Sequence, residues 1–222
     1  MRADRALLLA FGLATAADLG SLAVGFEPGH QVAKPLLMPL LAAWAARQGA
    51  PRLLVAALLC GWGGDILLLF DAEPAFLAGM ACFAAGHVCY LVLFTRGGGP
   101  LRARAGVLLG CYAAALALTL AFLWPDLPAD LRIPVAGYSA LLTAMAWTAA
   151  ARLGLIAGAG GALFLLSDTL IATGVADWPQ PPRPDFWIML TYAAGQLLLA
   201  RGALGQQPAP TATSGELRAT SP

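Results

Sequence analysis

Eight apolar segments, most of them long enough to cross a bilayer, limit the fold of this chain more than any other feature. A helix that spans the hydrocarbon core needs roughly 20 mostly apolar residues. The segments are 6–25, 32–46, 53–70, 74–95, 105–124, 133–151, 153–173 and 185–200. Only 11% of the residues are charged, against about 25% in an ordinary soluble domain. The sequence therefore predicts an all-α fold, a polytopic membrane bundle of about eight transmembrane helices.

Short connections and one polar tail define the predicted domain organisation. Helices joined by brief loops become antiparallel neighbours, so residues 1–201 are predicted to form a single transmembrane helical domain. The apolar start of the chain is similar to a signal peptide, but it contains Asp18 and lacks a convincing cleavage site. We interpret it as a retained first helix. Segment 202–222 is predicted to be a disordered tail, because its Pro, Ala, Thr, Gln and Ser residues cannot bury enough apolar area.

Basic residues are distributed unequally between the two sides of the predicted bundle. Lys34, Arg132 and Arg183 fall on one side, together with most of the loop acids. The other ten of the 13 Lys and Arg residues share the side of the two termini: Arg2, Arg5, Arg47, Arg52, Arg96, Arg102, Arg104, Arg152, Arg201 and Arg218. Cytoplasmic loops carry an excess of Lys and Arg. Both termini are therefore predicted to be cytoplasmic, and the absence of a eukaryotic sorting tail favours a bacterial inner membrane.

Several functional classes are excluded by composition. The formal net charge of +1, with no basic cluster, argues against a nucleic-acid partner. The chain has two histidines, His87 and His30, and we expect His30 to lie in a loop, so a three-histidine zinc site cannot form. P-loop, GxSxG and HExxH motifs are absent, which leaves Ser167 as the sole weak support for a serine hydrolase. We predict neither a metal nor a cofactor, and the sequence does not define an oligomeric state.

Two carboxylates lie inside apolar runs and are the strongest functional signal. Asp65 follows glycines in the run 61–70, and Asp168 follows glycines in the run 160–170. Ionisable groups at membrane depth are costly and normally mark function. Phe83-Ala84-Ala85-Gly86-His87 and Tyr192-Ala193-Ala194-Gly195-Gln196 are also similar, which suggests a duplication of four helices plus four. The sequence leaves that duplication open.

Six predicted helices bring polar side chains to one layer of the bundle. Besides the two acids, the candidates are Asp18, Lys34, His87, Tyr90, Tyr192 and Gln196. Structural alternatives exist: Asp18 could simply pair with Lys34, Lys34 could extend to the headgroups, and His87 could be a packing residue. The tyrosines could be ordinary interhelical hydrogen-bonding groups, and the glycines before the acids close-packing surfaces.

The ordered set of these residues resembles the YhhN-like lysoplasmalogenase family over most of the chain. The resemblance rests on Lys34-Pro35 with Pro39, Gly64-Asp65, Gly79 and Phe83 leading to His87 and Tyr90, Ser167-Asp168, and Tyr192 with Gln196. It implies an eight-helix integral membrane hydrolase that cleaves the vinyl ether bond of lysoplasmalogens. The products would be a fatty aldehyde and a glycerophospho-ethanolamine or -choline, and the partners a lysophospholipid substrate and the lipid bilayer.

This chemistry would suit the predicted site. Hydrolysis of a vinyl ether proceeds by protonation of carbon and capture of an oxocarbenium ion by water, as in carboxylate-catalysed glycoside hydrolysis. We expect Asp65 and Asp168 to form the acid/base pair, within hydrogen-bond or one-water reach, without assigning which one donates. His87 and Tyr90 would orient water or an acid, Lys34 would bind phosphate and Asp18 would position Lys34.

Two other functional classes remain open at this point. A proton-coupled small-molecule carrier would also use buried acids, and a lipid-sensing membrane protein would use them only to tie helices together. A carrier requires a pathway that can be reached from both sides of the membrane, whereas an enzyme requires a cavity closed at one end.

Overall fold

Across residues 2–205, the fold is a bundle of eight α-helices. A computed structural model describes residues 2–205, and within this range it contains no β-strand. The helices are α1 (Arg2–Val24), α2 (Glu27–Arg47), α3 (Arg52–Leu67), α4 (Glu73–Gly97), α5 (Ala105–Leu123), α6 (Arg132–Thr148), α7 (Leu155–Val175) and α8 (Pro184–Leu204). A π-helical turn, Ala149–Leu153, continues α6. The predicted all-α class is confirmed.

Five of the described helical stretches are long and apolar enough to cross a membrane: Ala3–Val24, Glu73–Gly97, Ala105–Leu123, Arg132–Leu153 and Leu155–Val175. The chain is therefore a multi-pass membrane bundle. Helices α2, α3 and α8 do not meet the same limits of length and apolarity. The 16 residues of α3 extend about 24 Å, which is shorter than the roughly 30 Å hydrocarbon core.

The largest change is at the start of α2, and the end of α8 also extends beyond its prediction. Helix α2 begins at Glu27 rather than at 32, so the prediction that His30 lies in a loop is wrong. Pro28 is tolerated in the first turn because its missing N–H would have no helical partner there. Helix α8 continues to Leu204, three residues into the predicted tail. The remainder of that tail, 206–222, lies outside the described residues.

Glycines allow the central helices to approach closely. A Cβ atom on Gly160 of α7 would lie 2.7 Å from the backbone nitrogen of Leu199 in α8, and one on Gly64 of α3 would lie 2.5 Å from the Phe83 ring. Helix packing in membranes depends on such small residues, since lipid tails are as apolar as leucine. The interpretation of these glycines as close-packing surfaces is confirmed.

Helix α5 is held mainly at its two ends. Ala105 and Leu123 are its only buried residues. At one end, the Trp147 indole donates a hydrogen bond of 3.0 Å to the Ala105 carbonyl oxygen. At the other end, Leu123 packs in a small cluster with Leu127, Leu131, Val135 and Ala176. Between these anchors α5 stands away from the bundle, and a cavity lies beneath it.

Loops that carry arginine meet at one end of the bundle. The Arg47 side chain donates a 2.8 Å hydrogen bond to Asp4, which joins the start of α1 to the end of α2. Arg152 likewise donates to the Gly99 carbonyl oxygen in the α4–α5 loop. At the opposite end, the Trp178 indole donates to Asp126, joining the α7–α8 and α5–α6 loops. These contacts agree with the predicted orientation, in which most of the arginine-bearing loops lie at one end of the bundle.

Candidate functional site

Asp168 belongs to a three-residue cluster formed by three helices. The Tyr138 hydroxyl of α6 donates a hydrogen bond to Asp168 Oδ2 of α7, and the same hydroxyl lies 3.1 Å from His87 Nε2 of α4. His87 is almost fully buried, and its Nδ1 has no hydrogen-bond partner among the described residues. Buried polar atoms are normally paired with protein or ordered water. The Nδ1 atom of His87 is therefore an unpaired buried polar atom next to the bond between Tyr138 and Asp168.

A cavity of about 370 Å³ adjoins this cluster. Helices α4, α5, α6 and α7 form its walls, which are largely apolar and include Phe83, Leu142 and Leu165. Asp168 and Tyr138 both line it. The Thr143 hydroxyl, on the same lining, is buried without a hydrogen-bond partner among the described residues. A mostly apolar cavity with a few convergent polar groups is the usual form of a small-molecule site.

Asp65 belongs to a second network, which is formed by α3, α4 and α8. The Tyr192 hydroxyl of α8 donates a 2.8 Å hydrogen bond to Asp65 Oδ2 of α3. Gln196 approaches the same hydroxyl at 3.5 Å and accepts a 2.7 Å hydrogen bond from Tyr90 of α4. All four side chains are buried, and none of them lines the cavity.

An aromatic layer, defined as Phe83, Phe164 and Tyr192 of the Asp65 network, lies between the Asp65 carboxyl group and the Asp168 cluster. The Phe164 ring is 4.8 Å from the His87 ring and 5.3 Å from the Tyr192 ring, centre to centre. The Phe83 ring contacts both aromatic neighbours edge to face, packs on Gly64 and lines the cavity. This layer separates Asp65 from the cavity that Asp168 faces.

The two acids, predicted to lie within hydrogen-bond or one-water reach, share no direct hydrogen bond among the described residues. The hydrogen bonds within 2–205 do not join Asp65 to Asp168; each carboxylate has its own tyrosine instead. The two charges are still close enough to interact electrostatically. His87 and Tyr90, predicted to act together one turn apart on α4, fall into different networks. The polar residues expected to share a single layer therefore fall into separate clusters.

A third polar cluster ties α1 to α2. Asp18 is fully buried, and its Oδ1 lies 2.8 Å from His30 Nδ1. The sequence-based alternative that Asp18 pairs with Lys34 is replaced by this contact with His30. Lys34 is itself 8% exposed, so it does not extend into solvent, and its charge acts on Asp65. Lys34 does not line the cavity.

Tyr138 is the site residue that the sequence analysis did not single out. It is one of the tyrosines expected to be ordinary interhelical hydrogen-bonding groups, and its bond to Asp168 fits that expectation. Tyr138 differs from the other tyrosines because it contacts Asp168, His87 and the cavity at the same time. This combination can be recognised only when the relative positions of three helices are known.

The structure also locates the remaining candidates. The Ser167 hydroxyl donates to the Ile188 carbonyl oxygen, so it ties α7 to α8 rather than facing a base. Within residues 2–205, three or more His, Cys, Asp or Glu side chains do not converge in a geometry that could hold a metal ion.

Known proteins similar to this chain were found by sequence. The profile of the YhhN family matches residues 29–203. Lysoplasmalogenase TMEM86B of Homo sapiens is 40% identical over 165 residues, which cover 73% of this chain and 67% of the human protein. A lysoplasmalogenase of Mycobacterium tuberculosis is 33% identical over 212 residues, which cover 86% of this chain and 80% of the mycobacterial protein. No solved structure matches the chain significantly.

Proposed function

The chain belongs to the YhhN family, and we propose from this that it is a lysoplasmalogenase. The enzyme would hydrolyse the vinyl ether bond of lysoplasmalogens within the membrane. A fatty aldehyde and a glycerophospho-ethanolamine or -choline are the products. Support comes from relatives in a mammal and a bacterium that carry the same printed name.

The observation that carries the mechanism is a carboxyl group facing an apolar cavity. Asp168 lines the cavity and is held by one hydrogen bond from Tyr138. A carboxylic acid in this position can reach an apolar substrate that enters from the bilayer. Asp65 lies behind the aromatic layer and lacks this access. We therefore assign proton donation to Asp168.

Protonation and hydration would follow in sequence. The Asp168 proton is transferred to the vinyl carbon that is not bonded to oxygen, and the C=C π electrons form the new C–H bond. The ether-bearing carbon becomes an oxocarbenium ion, which water attacks while a proton returns to Asp168. The resulting hemiacetal loses its hydroxyl proton and forms the C=O bond as its bond to the glycerol oxygen breaks, and the glycerol oxygen takes up a proton, which gives the aldehyde and a free glycerol hydroxyl. One water is consumed, as in the related glycoside chemistry.

Tyr138 and His87 would maintain the protonation cycle. When Asp168 has lost its proton, the Tyr138 hydroxyl donates to the carboxylate and His87 Nε2 can donate to Tyr138. The unpaired Nδ1 of His87 and the unpaired hydroxyl of Thr143 are positions where water would gain hydrogen bonds. Such waters would supply the attacking molecule from within the protein.

The remaining polar residues would position the site. Asp65, Gln196 and Tyr90 form a buried network with Tyr192 of the aromatic layer. We propose that it fixes α3, α4 and α8 relative to one another, that Lys34 offsets negative charge at Asp65, and that Asp18 ties α1 to α2 through His30. Substrate phosphate would then be bound outside this network, because Lys34 does not line the cavity.

Membrane placement extends the same proposal. All eight helices would cross the membrane, with the arginine-rich loops and both termini in the cytoplasm, in a bacterial inner membrane. Around the short helix α3, the bilayer would become thinner, or the polar residues that flank the helix would extend to the membrane surface.

The carrier alternative receives less support from the geometry. A proton relay needs acids along one continuous polar path. Here an aromatic layer separates Asp65 from Asp168.

A substrate comparison tests the proposed function. Purified protein in detergent is incubated with a lysoplasmalogen and, separately, with the matching saturated ether lysolipid. We expect free aldehyde from the first and none from the second, because only a vinyl ether can be protonated to an oxocarbenium ion. Absence of aldehyde from the lysoplasmalogen would refute the proposal.

A further inference from the structure

We propose that the cavity beneath α5 is a slot for a single hydrocarbon chain, and that Ala115 and Ala162 form its exit to the bilayer. These two residues would then determine which chain lengths bind. This inference rests on the proposed function for the identity of the lipid, a lysophospholipid with one chain.

The dimensions of the cavity fit one chain. On α7 its lining runs from Ala162 to Val175, a rise of about 20 Å. The volume of about 370 Å³ spread over that length leaves a passage only a few ångströms wide, and carbon atoms in contact already lie about 3.5–4.0 Å apart.

Asp168 lies near the middle of this slot. It is about 9 Å from the level of Ala162 and about 10 Å from the level of Val175. An extended chain advances about 1.2 Å per bond, from about 3.5 Å per three-bond residue. The phosphorus of a lysoplasmalogen is about seven bonds from the carbon to be protonated, or about 8 Å. With that carbon at Asp168, the headgroup lies near the Val175 end of the slot.

The chain then runs towards Ala162, where the slot opens. The distance of about 9 Å accommodates about seven or eight bonds, so a longer chain must leave the protein. Ala115 of α5 and Ala162 of α7 both line the cavity and are both exposed. Helix α5 is buried only at Ala105 and Leu123, far from this point. Two small side chains thus flank an opening that faces lipid.

Bulky substitutions at the exit provide the test. Ala115→Trp and Ala162→Trp would obstruct it, whereas Ala117→Trp on α5 and Ala159→Trp on α7 are matched controls, since both alanines are exposed and neither lines the cavity. Affinity is measured in lipid nanodiscs by competition against a fluorescent lysophospholipid. The competitors are ester-linked lysophospholipids with chains of about 8 and about 16 carbons, chosen to lie below and above the limit derived above. No vinyl ether is cleaved in this assay.

The expected result is selective. Each exit variant should lose about tenfold or more in affinity for the longer chain, since that chain must overpack against the added tryptophan side chain. Affinity for the shorter chain should change less than about twofold, which also shows that the variant is folded. The control variants should bind both lipids as the parent protein does.

Other outcomes separate this inference from the proposed function. An equal loss of affinity for both chain lengths, or no loss for either, would overturn the proposal that Ala115 and Ala162 form the exit. If the parent protein shows the chain-length pattern but releases no aldehyde from lysoplasmalogen, the slot stands and the enzymatic proposal fails.

Discussion

Tyr138 and Tyr192 hold the two buried acids in different surroundings. Tyr138 places Asp168 against the cavity and links it to His87. Tyr192 fixes Asp65 behind the aromatic layer, in a network that also includes Gln196. Two carboxylates that look alike in the sequence therefore have different access to substrate.

Tyr138→Phe should impair catalysis without removing the cavity. Loss of the hydroxyl breaks the link between Asp168 and His87, so we expect kcat to fall by about 10²-fold, the lower range for proton-transfer groups. The control is Tyr112→Phe, because Tyr112 lines the same cavity and has no hydrogen-bond partner in the described chain. Aldehyde release is the measurement; equal kcat values for the two variants would argue against the relay.

Tyr192→Phe should chiefly reduce stability. It removes a hydrogen bond to a buried carboxyl group, at a cost of about 1–3 kcal/mol. We expect a lower midpoint of thermal unfolding in detergent than for Tyr112→Phe. An unchanged midpoint would show that the Asp65 network does not hold the bundle together.

The sequence predicted which acids lie in polar networks, but it did not predict which side chains share a network. Asp65 and Asp168 stand out because acids are rare within apolar runs, and both are in polar networks. Their separation depends on the Phe83 and Phe164 rings, whose positions follow from helix packing and not from spacing along the chain. Asp18 contacts His30 rather than Lys34, because α2 begins at Glu27 and therefore includes His30.

At the scale of elements, the α7–α8 contact depends on a pair of facing glycines. A Cβ atom on Gly160 would lie 2.8 Å from the Gly195 carbonyl oxygen, and one on Gly195 would lie 3.0 Å from that of Gly160. This close approach brings Phe164 against Tyr192 and so completes the aromatic layer.

Gly160→Leu should disrupt this contact. The side chain would have to displace backbone atoms of α8, and overpacking of this kind costs about 1–3 kcal/mol or more. Gly174→Leu is the control on the same helix, because nothing lies within 4 Å of a Cβ atom there. Thermal unfolding of the two variants is compared, and equal midpoints would contradict the close-packing role.

Helix boundaries were predicted from the sequence to within a few residues, except at α2. Apolar length defines a transmembrane segment well, and α5 begins at Ala105 as predicted. The unusual position of α5 was not predictable, since its apolar sequence is equally suited to lipid and to protein neighbours.

At the scale of the whole molecule, the distribution of charge implies one orientation. Exposed Leu101 lies in the arginine-bearing α4–α5 loop, and exposed Ala129 lies in the opposite α5–α6 loop. Because basic loops stay in the cytoplasm, a cysteine placed at Ala129 in a cysteine-free background should react with an impermeant thiol reagent on intact cells. Leu101→Cys should react only after permeabilisation. The reverse pattern would invert the proposed topology.

The central claim is that Asp168, rather than Asp65, gives its proton to the vinyl ether. The most direct measurement is kcat for aldehyde release by purified Asp168→Asn, with Asp65→Asn measured alongside. The account predicts that Asp168→Asn lowers kcat by about 10²–10⁴-fold, and that Asp65→Asn lowers it at least about tenfold less. An Asp168→Asn protein that turns over at the parent rate would contradict the account.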